Sequence, residues 1–464
     1  MDKTALDAAY AAALRYLEGV AERTVGARSL DATAFRKALG GPLPDTGEPA
    51  ARVVERLARE ADPGLVASAG PRFFGFVIGG SVPAAVGADW LTTAWDQNAG
   101  LFVLSPAAAV IEETVLGWLT ELLGLPQGTG MGFVTGGQMA NTTCLAAARQ
   151  SVLAKVGWDV AARGLIGAPE VAVLAGDEAH ITVYGALRLL GLGDASVVKV
   201  PSDDQGRMEP DALGDALHTR RGKPAIICAQ AGNVNTGAFD PLAQVTRLAR
   251  EHGAWVHVDG AFGLWAAASP SLRHLTEGVE HADSWATDAH KWLNVPYDSG
   301  LAFVRDTKAH RAAMARSASY LQRSDMDRDN YEWTPEFSRR ARGFPVYAAL
   351  RSLGRRGVAE MVERCCAHAR LFADLLSAAP GVRVMNEVVL NQVLVRFEPP
   401  SATAEDGDAW TRDVIARVQR DGTCWLSGTV WRQRALMRIS VCNWSTTTDD
   451  VRRSTAAILA AHRR

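Results

Sequence analysis

Lys291 is the side chain in this sequence best suited to covalent chemistry. It lies in the run Asp283-Ser284-Trp285-Ala286-Thr287-Asp288-Ala289-His290-Lys291-Trp292, between a histidine and a tryptophan. The chain holds 42 arginines and only seven lysines, so arginine supplies most of its surface charge. A lysine among Trp, Ala and Leu is therefore not there for solubility. Unlike arginine, a desolvated lysine can lose its proton and attack a carbonyl carbon. Asp259 stands upstream in Trp255-Val256-His257-Val258-Asp259-Gly260-Ala261, an apolar run that reads as a buried strand ending in a turn. An acid in that position needs a cationic partner, and a protonated pyridine nitrogen is one. The alternative is that Asp259 caps a following helix. The 32 positions from Asp259 to Lys291 leave room for a helix and one more strand, so the two residues could reach opposite edges of one ring.

Two further segments complete the pattern. Thr135-Gly136-Gly137-Gln138 precedes the alanine-rich run Cys144 to Arg149. A glycine pair opening a helix exposes backbone N–H groups where the helix dipole favours an anion, which makes Gly136, Gly137 and Gln138 candidate phosphate donors. An ordinary turn is the alternative. Neither GxGxxG nor a Walker lysine is present. The strand-like run Val171 to Ala175 is followed by a polar turn carrying His180. That imidazole can stack on a pyridine ring, or it can be a satisfied structural histidine. A carbonyl-seeking lysine, an acid for a ring nitrogen, an anion cup and a stacking histidine together point to pyridoxal phosphate (PLP).

With these residues in the order Gly-Gly, His, Asp, Lys, the chain resembles the group II PLP-dependent amino acid decarboxylases. The resemblance runs from about Gly70 to about Asp450. It includes Pro71-Arg72-Phe73-Phe74-Gly75-Phe76, Ser338-Arg339-Arg340-Ala341-Arg342-Gly343 and the stretch Leu436-Met437-Arg438 through Thr447. It implies the fold of aspartate aminotransferase-like PLP enzymes (fold type I) and a homodimer with the active site at the interface. By resemblance, Lys291 would carry the cofactor aldehyde, Asp259 would meet the pyridine nitrogen and His180 would stack on the ring. Ala261 would pack under it, and His290 and the Gly136 loop would meet the phosphate. Asn233 stands where a threonine is frequent and could still hydrogen-bond near Asp259. Asp288 stands where many relatives carry asparagine, which places a second carboxylate near His290.

The same resemblance assigns Ser317 to Glu336 to a loop that closes over substrate, with Tyr331 the candidate proton donor at Cα and Tyr320 the second. The polar, charge-alternating run Ser324–Asn330 reads as mobile. The alternative is that Tyr331 anchors that loop. Phe74, Phe76 and Val77 match the pocket wall of the family, and aromatic walls suit an aromatic substrate. They could equally be core, and Arg72 nearby could serve an acidic substrate. The expected reaction is decarboxylation of an L-amino acid, aromatic before acidic. The alternatives are oxidative conversion to an aldehyde by the same site, another PLP reaction on this fold, and a non-catalytic PLP-binding protein.

The elements that must position these residues follow from periodicity. Residues 1–78 read as helices broken at Gly40-Gly41-Pro42-Leu43-Pro44, a segment expected to pack on a partner subunit. From 79 to 346, short apolar strands alternate with helical patterns, the sign of a mostly parallel sheet in an α/β domain. Candidate strands are Val171–Ala175, Ser196–Val200, Ala225–Ala229, Trp255–Val258, Asp283–Ala286 and Leu301–Val304. A smaller α+β domain is expected over 347–464. A net charge of −2 gives no electrostatic case for nucleic acid or membrane binding. No apolar stretch has spanning character, and Met1-Asp2-Lys3 opens an amphipathic helix rather than a signal peptide. The six cysteines show no CxxC spacing, so no metal site is expected and the thiols read as reduced core residues of a cytoplasmic protein.

Overall fold

The computed structural model describes residues 3–315, 327–399 and 406–464. The chain divides into two compact units: Gly79–Arg370 with Met385–Val393, and Met1–Ile78 with Leu371–Val384 and Leu394–Arg464.

The larger unit is built on a seven-stranded sheet. Its strands are β1 (Gly130–Val134), β2 (Ala172–Gly176), β3 (Val198–Val200), β4 (Ala225–Gln230), β5 (Trp255–Asp259), β6 (Ser284–Asp288) and β7 (Gly300–Val304). Their order is β1-β7-β6-β5-β4-β2-β3. The pairs β2–β3, β2–β4, β4–β5 and β5–β6 are parallel, whereas β7 runs antiparallel to both β6 and β1. The exception has a simple cause. Only residues 289–299 join β6 to β7, too few for the crossover helix a parallel pair requires. Lys291 sits in that short connection.

Every residue of β1, β2, β4, β5, β6 and β7 is buried, as expected for strands covered on both faces. The helix Gly137–Ala154 lies on β5, β6 and β7, and its small residues Ala140, Ala146, Ala147 and Ala148 let it approach the sheet closely. All six expected strands lie within two residues of their anticipated bounds, and β3 keeps only the last three of its five expected residues. β1 has no such apolar signature because two of its five residues are glycine. A Cβ on Gly132 would come within 2.1 Å of the Trp333 carbonyl oxygen, so the glycine is required by the turn Asn330–Trp333 packed against it. The segment Ser338–Arg342 is anchored by Arg339, whose guanidinium donates to both oxygens of the buried Glu112 at 2.7 and 2.8 Å.

The smaller unit contains a four-stranded sheet of order β10-β11-β9-β8, from β8 (Val382–Val384), β9 (Gln392–Phe397), β10 (Ser427–Trp431) and β11 (Arg434–Ser440). The pairs β8–β9 and β10–β11 are antiparallel. The helices Asp406–Asp421 and Thr448–Arg463 pack on each other, and Val414, Val418, Met437, Ile439 and Ile458 are among the buried residues. The helices Lys3–Gly19 and Ala50–Ala61 pack on one another, yet neither contains a buried residue. Leu6, Tyr10, Leu14 and Leu17 stay exposed along the first of them.

The expected boundary at residue 346 needs correction. It falls inside the helical stretch Gly343–Ser377, whose residues as far as Arg370 belong to the larger unit. A helix continuous through a boundary hides it from composition. The backbone does break from helical geometry within this stretch, at Gly354 with φ 62, but eight residues later. Among the described residues, no helix is long and apolar enough to cross a membrane.

Candidate active site

The site forms where β5, β6 and β1 end. β6 terminates at Asp288, whose N–H donates to Ala261 O (2.9 Å) and whose carbonyl accepts from Trp265 Nε1 (3.2 Å). Three residues on, Lys291 Nζ lies 3.0 Å from Asp288 Oδ2. The lysine side chain is 21% exposed and the carboxylate 1%, so this amine keeps an opening while its counter-ion does not. Trp292, Leu293 and Val295 around it are fully buried.

His290 faces the same carboxylate. Its Nδ1 accepts from Ser299 N–H at 3.2 Å, and its Nε2 lies 3.6 Å from Asp288 Oδ1. Burial holds its pKa below the ordinary histidine value even though Asp288 pulls the other way. With Nδ1 accepting, the neutral ring carries its hydrogen on Nε2. The ring stacks on Tyr297 with centroids 4.3 Å apart. Asp288 Oδ1 is buried and has no hydrogen-bond partner.

The Gly136-Gly137 turn closes against this pair. Gly136 caps the helix Gly137–Ala154 without any side-chain hydrogen bond, so the first N–H groups of the helix are left for another acceptor. A Cβ on Gly137 would lie 2.9 Å from Asp288 Oδ2, and one on Gly136 would lie 3.0 Å from His290 Cε1. The close approach explains both glycines. Gln138 commits its side-chain Nε2 to Thr182 O at 3.2 Å, which leaves its backbone N–H as the group able to meet an anion. Gly137→Val should therefore weaken cofactor binding at least about tenfold by displacing Asp288 from the turn. Absorbance titration with PLP measures this, and an unchanged affinity would mean that the turn is not the anion site.

Asp259 is the last residue of β5 and is buried. Its Oδ1 accepts from Ala261 N–H and its Oδ2 from Asn141 Nδ2, each at 3.1 Å. Ala261 thus links Asp259 to Asp288 across neighbouring strands. His180 caps the helix Ile181–Leu189, with Nδ1 2.8 Å from Thr182 Oγ1 and accepting from Thr182 N–H at 3.4 Å. Asn141 Nδ2 reaches Thr182 Oγ1 as well, at 3.1 Å, so His180 and Asp259 belong to one network.

Asn141, Thr182, His257 and Ser284 are the members that sequence reasoning missed. Two signals were available. Asn141 follows Gly137 by four residues and so shares its helix face, and His257 precedes Asp259 by two in a strand and so shares its side of the sheet. The bond expected from Asn233 towards Asp259 is not formed. Asn233 Oδ1 instead accepts from Asn235 N–H (2.8 Å) and Thr236 N–H (3.2 Å), closing its own turn.

Tyr331 is placed in a packed turn. It is 2% exposed, in the short turn Asn330–Trp333, with its N–H on Gly100 O at 2.9 Å and its ring 5.0 Å from Phe337. Its neighbours are not a mobile polar tip either. Asp329 accepts from Phe102 N–H at 2.8 Å, and Arg328 donates to Met131 O while lying over the Trp333 ring. Arg328 and Asp329 are thus paired with the rest of the fold, and their polarity does not signal mobility. Tyr320 and Ser324–Met326 fall outside the described residues.

The candidate pocket-wall residues belong to the smaller unit. Phe74 packs edge-on against Phe372 and is core, as is Val77. Phe76 is different: it is 55% exposed, adopts a left-handed backbone (φ 58) and stacks against Trp425. Arg72 is buried, with Nη1 3.1 Å from Asp450 Oδ1 and Nε donating to Thr423 O.

Residues 35–398 match the sequence model of the pyridoxal-dependent decarboxylase conserved domain. The chain belongs to the pyridoxal-dependent decarboxylase family. It is 30% identical over 415 residues to tryptophan decarboxylase 1 of Oryza sativa subsp. japonica, covering 84% of this chain and 79% of that one. It is 28% identical over 375 residues to the acidic amino acid decarboxylase GADL1 of Bos taurus, covering 79% and 71%. The solved structure of Oryza sativa TDC with PLP and tryptamine matches with a TM-score of 0.92 at 26% identity, over 99% of this chain and 97% of that one. The enzyme is thus a PLP-dependent amino acid decarboxylase, a carboxy-lyase. Its residues fit that cofactor: an amine with an opening, a doubly hydrogen-bonded carboxylate at a strand end, and a helix N-terminus without a side-chain cap.

Proposed function

We propose that the enzyme decarboxylates an aromatic L-amino acid to the corresponding amine, with Lys291 as the residue that carries the cofactor. Bound PLP supplies the electron sink into which the bond to the departing carboxylate breaks. The chain's own groups do the rest. Lys291 would hold the cofactor in the resting enzyme and would supply the amine that releases the product. Asp259 would keep a proton on the cofactor ring nitrogen, and His180 would pack against the ring. The N–H groups of Gly136, Gly137 and Gln138, with His290, would hold the phosphate.

The commitment of Arg72 to Asp450 carries the preference for an aromatic substrate. That pairing takes away the arginine nearest in sequence to the candidate pocket wall, on which an acidic side chain would have relied, whereas Phe76 keeps an exposed ring. A panel of L-amino acids added to the PLP-loaded enzyme, with CO2 and hydrogen peroxide recorded together, tests this reading. It expects CO2 without peroxide from one aromatic substrate. CO2 from aspartate or glutamate alone would overturn the substrate class.

A second reading draws on the burial of Tyr331. Without that phenol to protonate Cα, oxidation of the substrate by O2 would compete. Substrate, O2 and water would then give aldehyde, CO2, ammonia and hydrogen peroxide. Peroxide equal to CO2 would establish this route.

The uncovered Leu6, Tyr10, Leu14 and Leu17 on the first helix also support a homodimer, in which a partner would cover that stripe. Sedimentation velocity should then give about twice the chain mass, and a monomer retaining full activity would contradict it.

A further inference from the structure

The hydrogen bonds behind Asp259 run in one direction, and that direction bears on how the acid is kept ready. At one end Trp255 Nε1–H, which can only donate, lies 2.9 Å from Ser284 Oγ. Ser284 Oγ is in turn 3.0 Å from His257 Nδ1, and His257 Nε2 is 2.9 Å from Asn141 Oδ1. Asn141 Nδ2 then reaches Asp259 Oδ2 and Thr182 Oγ1. At the far end an ionised Asp259 can only accept. Burial pushes His257 down to about 4, so its ring is neutral near pH 7 and bears a single hydrogen.

One arrangement satisfies both ends. Trp255 donates to Ser284, Ser284 donates to His257 Nδ1, and His257 Nε2–H donates to Asn141 Oδ1. The Asn141 amino group is thereby turned onto the Asp259 carboxylate. In the reverse arrangement the Asn141 carbonyl would oppose that carboxylate, and the Ser284 hydrogen would lose His257 as its acceptor. The same polarity continues sideways. Thr182 Oγ1 accepts from Asn141 and gives its own hydrogen to His180 Nδ1, so a neutral His180 carries its hydrogen on Nε2.

We propose that Asn141 is a positioning residue for the cofactor: held in one orientation by His257, it keeps a hydrogen-bond donor on Asp259 so that the carboxylate stays ionised toward the cofactor ring nitrogen. This rests on the assignment of Asp259 to that nitrogen. The Asn141 side chain exerts its effect through Asp259, to which its Nδ2 donates.

The test compares Asn141→Thr with Asn141→Val, which share a shape and differ in one hydroxyl. Threonine can accept from His257 and donate to Asp259; valine can do neither. PLP is titrated into each cofactor-free protein by absorbance, alongside wild type and Asp259→Asn, and thermal melting reports folding. The threonine variant should bind PLP within about fivefold of wild type, and the valine variant at least roughly tenfold more weakly than the threonine variant. Equal affinities for the two would overturn the proposal, because a purely structural role follows volume rather than the hydroxyl. If the valine variant does not fold, Asn141→Leu, of similar size and without polar atoms, takes its place with the same expectation. If Asp259→Asn binds PLP as wild type does, the assignment of Asp259 itself fails. If Asp259→Asn weakens binding while the threonine and valine variants match, only the role of Asn141 fails.

Discussion

Lys291→Ala should lower kcat by roughly 10³-fold or more, because the amine that carries the cofactor and later displaces the product is removed. The effect should not come from unfolding. Lys291 Nζ pairs with Asp288 Oδ2 at the edge of an opening, while the core around it consists of Trp292, Leu293 and Val295. Removing the ammonium does leave Asp288 with one partner fewer, so a modest loss of stability is expected alongside the loss of turnover. The discriminating readout is the absorbance of PLP after gel filtration. Wild type should retain a protein-bound chromophore and the alanine variant should not. Retained turnover near the wild-type rate would remove Lys291 from the mechanism.

Asp259→Asn should cost roughly 10²–10³-fold in kcat, the range found when a group aimed at developing charge is removed. The substitution keeps the size of the side chain and replaces the charge. Asn141 Nδ2 and Ala261 N–H both donate to Asp259, so an asparagine there must turn at least one N–H toward a donor or swing out of place. PLP affinity should fall as well. Steady-state kinetics at saturating PLP separate the two losses, since excess cofactor restores occupancy but not the charge. A variant with wild-type kcat under those conditions would show that the carboxylate does not act on the ring nitrogen.

The sequence was most informative where a local pattern carries the chemistry. Asp259 ends a strand, Lys291 sits in the short connection after β6, and Gly136-Gly137 opens a helix, and each is recognisable within about ten residues of chain. The helix Gly137–Ala154 and the six strands β2 to β7 were legible for the same reason. What stayed hidden depends on partners far away in the chain. Asn141 is joined to His257 and Asp259 across more than 110 residues, and no local pattern contains that bond. Arg328 is half-buried on Met131 O and Trp333, so residues 328–330 of the charged run are packed. Tyr331 shares that fate. β1 escaped notice because its glycines answer to Trp333 and not to strand propensity.

The central claim is that Lys291 holds the cofactor, and borohydride reduction of the PLP-loaded enzyme followed by peptide mass spectrometry tests it most directly. The chain offers seven lysines. A pyridoxyl group on the peptide carrying His290-Lys291-Trp292, and on no other, is the predicted result. A stoichiometric label on any of the remaining six lysines, with Lys291 unmodified, would contradict the account.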